Sequence, residues 1–104
     1  MAGIREQARA AAAQRILYLP HAIRQMVRPD RQITPTEVQK IVLEGELIEE
    51  YPENVRGPSC LLLGFGEGRR PIHVVCAPKE GYLAVITAYL PDPDQWEPDF
   101  KRRK

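Results

Sequence analysis

Three strand-like segments follow one another in the second half of the chain, and the short connections between them limit the possible topologies. Residues 59–65, 71–77 and 82–90 are rich in apolar, β-branched and aromatic side chains. The connections 66–70 and 78–81 contain glycine, which is typical of hairpin loops. A parallel pair needs a crossover of about a dozen residues or more. The three segments are therefore expected to form an antiparallel meander.

A well-marked helix precedes this meander. Thr34 stands at the N-cap, Pro35 occupies the first helical position and Glu37 completes a capping box. Gly45 is a natural helix terminator. Apolar and acidic residues then alternate over 46–51, as in a half-buried strand whose glutamates form a solvated face. These signals add one helix and a fourth antiparallel strand.

An earlier, shorter helix is predicted from Pro20 to about Val27, because proline suits the first turn and Pro29 ends the helix. The spacing of its side chains divides it into two faces. The face expected to point at the core carries Ile23, Met26 and Val27. The opposite side carries His21, Arg24, Gln25 and Arg28.

The remaining segments set the expected domain boundaries. Residues 1–15 are rich in alanine, which favours an N-terminal helix or a frayed tail. Residues 16–96 are expected to form one α+β domain. It has two helices, besides the possible N-terminal one, packed on a four-stranded antiparallel sheet. Residues 97–104 are expected to form a basic C-terminal tail.

Composition argues against several classes of function. No run approaches the roughly 18 apolar residues of a membrane span, and the start of the chain lacks the apolar centre of a secretory signal. We therefore expect a cytoplasmic protein without membrane contact. Cys60 and Cys76 lie in apolar segments and are expected to be reduced. Neither histidine has a Cys or His neighbour at metal-ligand spacing, so no metal or other cofactor is expected.

The two histidines, His21 and His73, are candidate acids or bases. If Ala77 pairs with Leu83, His73 faces Thr87 and lies diagonal to Tyr89 on the sheet face away from the core. In that register the core face carries Ile72, Val74, Cys76, Ala84, Ile86 and Ala88. The alternative for each histidine is a purely structural place in the core or on the surface.

Short motifs spread over residues 16–96 agree with one family pattern. They are Pro20-His21-Ala22, Ile33-Thr34, Glu37-Val38, Gly45-Glu46, Glu49-Glu50-Tyr51-Pro52, Gly57-Pro58-Ser59, Arg70-Pro71-Ile72-His73 and Ile86-Thr87-Ala88-Tyr89. In these motifs the chain resembles the bacterial family called domain of unknown function 4258. Members commonly carry an arginine four residues after the first histidine, where this chain has Gln25; its own arginines stand at three and seven.

The resemblance implies a fold and an activity. The family is similar to the RelE-like and MqsR-like toxins of toxin–antitoxin pairs, which are small messenger-RNA endonucleases. It implies metal-independent cleavage of RNA, free or on the ribosome, at the 2′-hydroxyl. It also implies neutralisation by a small zinc-finger or helix-turn-helix antitoxin.

Such cleavage needs a base, an acid and a cation that stabilises the phosphorane. The candidate acid and base residues are His73, Tyr89 and His21. The candidate phosphate-binding residues are Arg24, Arg28, Arg69 and Arg70, because a guanidinium can bind a phosphate through two hydrogen bonds. The alternative function is a non-catalytic protein- or RNA-binding module on the same fold.

Overall fold

The computed structural model describes residues 3–104 and shows three helices and one five-stranded sheet. The elements are α1 (Ile4–Gln14), β1 (Ile16–Tyr18), α2 (Pro20–Met26), α3 (Pro35–Glu44), β2 (Glu46–Tyr51), β3 (Ser59–Phe65), β4 (Pro71–Lys79) and β5 (Tyr82–Tyr89). A 3₁₀ turn, Glu67–Arg69, connects β3 to β4. The strand order is β1-β5-β4-β3-β2.

The predicted arrangement of two helices on a four-stranded antiparallel sheet is wrong. Strands β2 to β5 do form an antiparallel meander, but β1 extends the sheet by pairing in parallel with β5. Ile16 lies opposite Leu83, and Tyr18 lies opposite Val85. A strand of three residues is too short to show an alternating pattern, and its partner lies more than 60 residues away. The local signals on which the prediction depended therefore could not reveal this strand.

All three helices pack on one face of the sheet. They share a core with Cys60 and Leu62 of β3, with Val74 of β4 and with Val85 of β5. Helix α1 is an integral part of this layer, because its small side chains Ala8, Ala11 and Ala12 are buried. Arg5 and Arg9 of α1 also donate to backbone carbonyls at the end of α3.

Helix α2 is rotated relative to the predicted orientation. Met26 and the small Ala22 face the core, whereas Ile23 is 49% exposed and Val27 is 66% exposed. Only Leu19 separates β1 from α2, and its N–H donates to a carbonyl of β5. The strand therefore sets the direction of the helix, and two large apolar side chains remain at the surface.

The pairing of β4 with β5 differs from the predicted register. Ala77 lies opposite Ala84, not opposite Leu83, and Ile86 is the extra residue of a β-bulge. A bulge places two residues of one strand against one of its neighbour, so strict alternation does not reveal it. The residues of β5 that belong to the core are Leu83, Val85 and Ala88, in place of the predicted Ala84, Ile86 and Ala88.

Residues 91–104, which we call the C-terminal cap, fold back over the sheet face opposite to the helices. Trp96 of the cap is 3% exposed. The N–H of Glu97 donates to the carbonyl of Arg102, and the N–H of Lys104 donates to that of Gln95. The segment predicted as a basic tail thus makes backbone hydrogen bonds within a small hairpin. Both faces of the central strands are covered.

Candidate functional site

His73 lies at the centre of the capped sheet face. It stands directly opposite Tyr89 on β5 and Leu63 on β3, and its side chain is 0% exposed. The Tyr89 hydroxyl lies 3.3 Å from Nδ1, and the carbonyl oxygen of Phe100 lies 2.8 Å from Nε2. Because a carbonyl only accepts, Nε2 carries the proton and Nδ1 of the neutral ring accepts from Tyr89. The structure brings His73 and Tyr89 together as predicted, but the two residues lie directly opposite each other and not diagonally.

Aromatic rings enclose this imidazole. The Trp96 ring stands nearly perpendicular to it at a centroid distance of 4.5 Å, and the Tyr89 ring is inclined by 71° at 5.3 Å. Burial lowers the pKa of His73, although the Phe100 carbonyl and the charge of Glu49 act in the opposite direction. Burial raises the pKa of the Tyr89 hydroxyl. Both groups are therefore neutral at neutral pH.

A charged rim holds the cap over the rings. Arg103 donates to both carboxylate oxygens of Glu49, at 2.9 and 3.0 Å, and its guanidinium lies 4.6 Å from the centre of the Trp96 ring. Tyr51 donates to the same carboxylate at 2.5 Å. The hydrogen bond from Arg103 lowers the pKa of Glu49 although burial opposes it. Lys101 adds an ion pair to Glu46 at 3.1 Å.

Glu49 and Arg103 are site residues that the sequence interpretation missed. The glutamates of β2 were expected to be a solvated strand face, but Glu49 lies on the capped side beside Tyr51. The alternation of Glu49 with Tyr51 places both on the same strand face and was a usable signal. Arg103 lies 54 residues away in the chain, so no local pattern connects it to Glu49.

His73 and Tyr89 form a hydrogen-bonded pair that is capable of proton transfer but is closed to solvent. Both ring nitrogens of His73 already have partners. A general base must come within hydrogen-bond reach of the proton that it takes. A substrate reaches Nε2 only when the Phe100 carbonyl withdraws with the cap.

The structure does not bring His21 into this pair. His21 is an exposed residue of α2, and α2 packs on the helix-covered face of the sheet. His73 lies on the other face, so the sheet separates the two histidines. Arg24 is also exposed on α2, and Arg28, just beyond the end of the helix, pairs with Asp30 at 3.2 Å. His21 therefore lies on the same helix as Arg24 and is separated from Tyr89 by the sheet.

Arg69 and Arg70 have different surroundings although they are adjacent in sequence. Arg69 is exposed in a left-handed backbone conformation with φ 61°. Arg70 donates to Glu37 at 2.9 Å and to the carbonyls of Arg31 and Gln32. It thereby ties the start of β4 to the loop before α3. Arg70 has a structural role that the sequence did not indicate.

Glu37 is the charged partner that anchors Arg70. It completes the predicted capping box with Thr34 and also accepts from the N–H of Glu67 at 2.8 Å. Burial by itself raises the pKa of Glu37, but the hydrogen bonds from Arg70, Thr34 and Glu67 outweigh it and lower the pKa to about 2. The carboxylate is therefore ionised throughout the neutral range.

The described part of the chain contains no obvious metal site. Among residues 3–104, no three His, Cys, Asp or Glu side chains are placed together so that they can hold a metal ion. In the same range, no helix has the length and apolar character that crossing a membrane requires.

One family matches most of the domain. The family described as Domain of unknown function (DUF4258) matches residues 18–90. The chain belongs to the DUF4258 family. The predicted membership is confirmed, and the matched range of this DUF4258 protein runs from the end of β1 to just after β5. Helix α1 and the C-terminal cap lie outside it. No curated protein and no solved structure matches the chain.

Proposed function

We propose that this DUF4258 protein is an RNA-binding module. Its contact surface consists of three exposed arginines: Arg24 of α2, Arg28 just beyond that helix and Arg69 of the β3–β4 turn. The observation that carries the proposal is that Arg24, Arg28 and Arg69 are all exposed. Hydrogen bonds from Arg70 to the carbonyls of Arg31 and Gln32 hold the turn beside the loop that follows α2.

The charges on this surface favour a phosphate ligand. Among residues 3–104, Arg28 and Arg70 have ion-pair partners, but Arg24 and Arg69 have none. An exposed guanidinium without a carboxylate partner is free to bind a phosphate through two hydrogen bonds. The net charge of the whole chain is only +1. Binding is therefore expected to depend on this local group and not on the overall charge.

A binding titration with a matched control tests the proposal. We expect the double variant Arg24→Gln/Arg69→Gln to bind a fluorescent single-stranded RNA at least tenfold more weakly than the wild type, since each phosphate contact adds to affinity. The control is Arg56→Gln/Arg102→Gln, which removes the same charge from exposed positions elsewhere. Equal affinities of the two double variants would contradict the assignment of the surface.

A second candidate function is metal-independent cleavage of messenger RNA, as in the RelE-like and MqsR-like toxins. The hydrogen bond between His73 and Tyr89 favours it. With the cap displaced, Nε2 of His73 is available to exchange a proton with the 2′-hydroxyl or the leaving 5′-oxygen, and Tyr89 is available as its partner. This candidate requires an opening of the cap that the binding function does not require.

An assay on a defined RNA without divalent metal separates the two candidates. For a nuclease, we expect cleavage that increases when Arg103→Gln loosens the cap and that disappears in His73→Gln. For a binding module, we expect intact RNA with the wild type and with both variants. A folded His73→Gln protein that still cleaves RNA would exclude His73 as the catalytic residue.

An antitoxin-type protein partner is a further part of the proposal. The exposed Ile23 and Val27 lie on an apolar groove of about 260 Å³ that also includes Tyr18, Met26, Ile33 and Pro35. Such a surface supports contact with a small zinc-finger or helix-turn-helix protein.

Co-expression with the product of the adjacent gene tests whether the groove binds such a protein. We expect Val27→Asp to abolish a stable complex, whereas Val55→Asp, at another exposed position, does not.

A further inference from the structure

Two free cysteines face each other in the core, on the sheet face that the helices cover. Cys60 of β3 lies directly opposite Cys76 of β4, and their sulfur atoms are 3.9 Å apart. Directly opposed residues of an antiparallel pair have Cα atoms roughly 4.5–5.5 Å apart. That separation lies within the range of disulfide-bonded cysteines. The two strands therefore already hold the backbone at a spacing that permits a disulfide bond.

An arginine of α1 interacts electrostatically with both thiols. Arg5 of α1 donates through Nε to the carbonyl of Gly45 and through Nη2 to that of Val42. Its third nitrogen, Nη1, is buried and has no hydrogen-bond partner. The guanidinium interacts electrostatically with Cys60 and Cys76. A positive charge beside a thiol favours the thiolate, which is the reactive form of cysteine.

The two thiols have unequal roles. The hydrogen bond from Cys76 lowers the pKa of Cys60, and the charge of Arg5 adds to this effect while burial opposes it. The same hydrogen bond and burial raise the pKa of Cys76. Cys60 is thus the thiol that ionises first when Cys76 donates the hydrogen bond between them.

We propose that Cys60 and Cys76 form a reversible dithiol–disulfide site that reacts with small disulfides such as glutathione disulfide. The Cys60 thiolate attacks one sulfur of glutathione disulfide, its S–S bond breaks, and one glutathione thiolate leaves and takes a proton. Cys76 then loses its proton and attacks the Cys60 sulfur, which releases the second glutathione. The protein dithiol loses two electrons and two protons, and glutathione disulfide becomes two thiols.

Helix α1 belongs to the layer that covers the site. Both sulfurs are fully buried beneath the helical layer, so the oxidant reaches them only when part of this layer moves away, and the first turn of α1 is the part that we expect to open. The N-cap of α1 is Gly3, which offers no capping side chain, and uncapped helix ends open at low cost. The two hydrogen bonds from Arg5 to the end of α3 hold this turn down. Arg5 therefore both holds the first turn of α1 in place and favours the Cys60 thiolate.

Mass spectrometry of the reduced, folded protein after incubation with glutathione disulfide tests the proposal. We expect the wild type to lose two hydrogen atoms and to unfold at a higher temperature, because a disulfide restricts the unfolded chain. Dithiothreitol is expected to reverse both changes. We expect Cys76→Ser to accumulate one glutathione on Cys60, and Cys60→Ser to react at least tenfold more slowly. If a buried serine prevents folding, Cys76→Ala and Cys60→Ala replace the serine variants, and we expect the same results from them.

One result would overturn the site, and another would overturn the assignment of Cys60 as the attacking thiol. One is a folded wild-type protein that stays reduced under conditions in which the same protein, unfolded in urea, is oxidised. The other is glutathione adducts that form at equal rates on the two single variants.

The pH dependence of the oxidation rate tests whether Arg5 favours the Cys60 thiolate. The pH at which the rate of oxidation is half-maximal is expected to rise in Arg5→Gln, because the thiolate loses its neighbouring charge. It is expected to stay unchanged in Arg9→Gln, which alters another arginine of α1 that binds a carbonyl of α3. Faster opening of α1 changes the rate at every pH but does not move this midpoint. Equal midpoints in the two variants would contradict the role of Arg5.

Discussion

At the scale of single residues, burial determines what the candidate histidines can do. His73 and His21 are equally plausible catalytic residues when only their chemistry is considered. The fold covers His73 with a tryptophan ring and a backbone carbonyl, whereas it leaves His21 exposed on the same helix as Arg24. The histidine with a hydrogen-bonded tyrosine partner is thus the closed one, and the other is accessible.

The pH dependence of stability is expected to report the burial of His73. Its pKa lies below the ordinary value of 6.5 in the folded state. The unfolded chain therefore binds more protons just below that pH, and the free energy of unfolding falls as the pH drops from about 7 to 5. Urea denaturation at several pH values measures this effect. We expect His73→Phe to flatten the profile in this range, while His21→Gln keeps it; identical profiles in both variants would contradict the buried, neutral state.

A second pH-dependent contribution is expected from Glu37 at lower pH. Its pKa falls from the ordinary 4.5 to about 2 on folding, so it stabilises the fold above about pH 4.5 and loses this effect as the pH drops towards 2. The shift corresponds to something on the order of 3 kcal/mol. We expect Glu37→Gln to lower the free energy of unfolding at neutral pH by about 2–3 kcal/mol. The exposed Glu67→Gln is the control, and a loss of equal size there would contradict the prediction.

At the scale of elements, short sequence motifs correctly predicted the features that depend only on residues close together in the chain. Thr34, Pro35 and Glu37 specify the start of α3 within four residues, and the capping box is present as predicted. The added strand β1 and the covered His73 depend on partners that are distant in the chain, and the bulge at Ile86 interrupts the alternation of β5. A three-residue strand and a cap without regular secondary structure leave no periodic pattern to read.

The cap is an element whose opening can be followed directly. Trp96 is the only tryptophan of the chain, so its fluorescence reports the environment beneath the cap. We expect Arg103→Gln to make Trp96 more accessible to a soluble quencher, because it removes the pair with Glu49 and the contact with the ring. The exposed pair is worth only about 0–1 kcal/mol, so the fold should persist.

The matched control for the cap is Arg102→Gln. Arg102 belongs to the same hairpin, but its ion pair is to Asp99 within the cap. We expect a soluble quencher to reduce the Trp96 fluorescence of Arg102→Gln to the same extent as that of the wild type. Equal increases in both variants would show that the Glu49–Arg103 pair does not hold the cap closed.

At the scale of the whole molecule, the sheet separates two surfaces with different properties. One side carries the helical layer, with exposed arginines and an apolar groove on and beside α2. The other side carries a covered aromatic and histidine cluster. Sequence alone predicted that Arg24 lies away from the core and that His73 lies diagonal to Tyr89. It could not show that the sheet keeps His21 and His73 apart, because that separation follows from the packing of α2.

The salt dependence of RNA binding tests the central claim most directly. The logarithm of the affinity for single-stranded RNA falls with the logarithm of salt concentration by about 0.7 for each phosphate contact. If Arg24 and Arg69 each bind one phosphate, the slope for Arg24→Gln/Arg69→Gln is about 1.4 smaller than for the wild type. The slope for Arg56→Gln/Arg102→Gln is then unchanged. Equal slopes for all three proteins would contradict an RNA-binding surface formed by Arg24 of α2 and Arg69 of the β3–β4 turn.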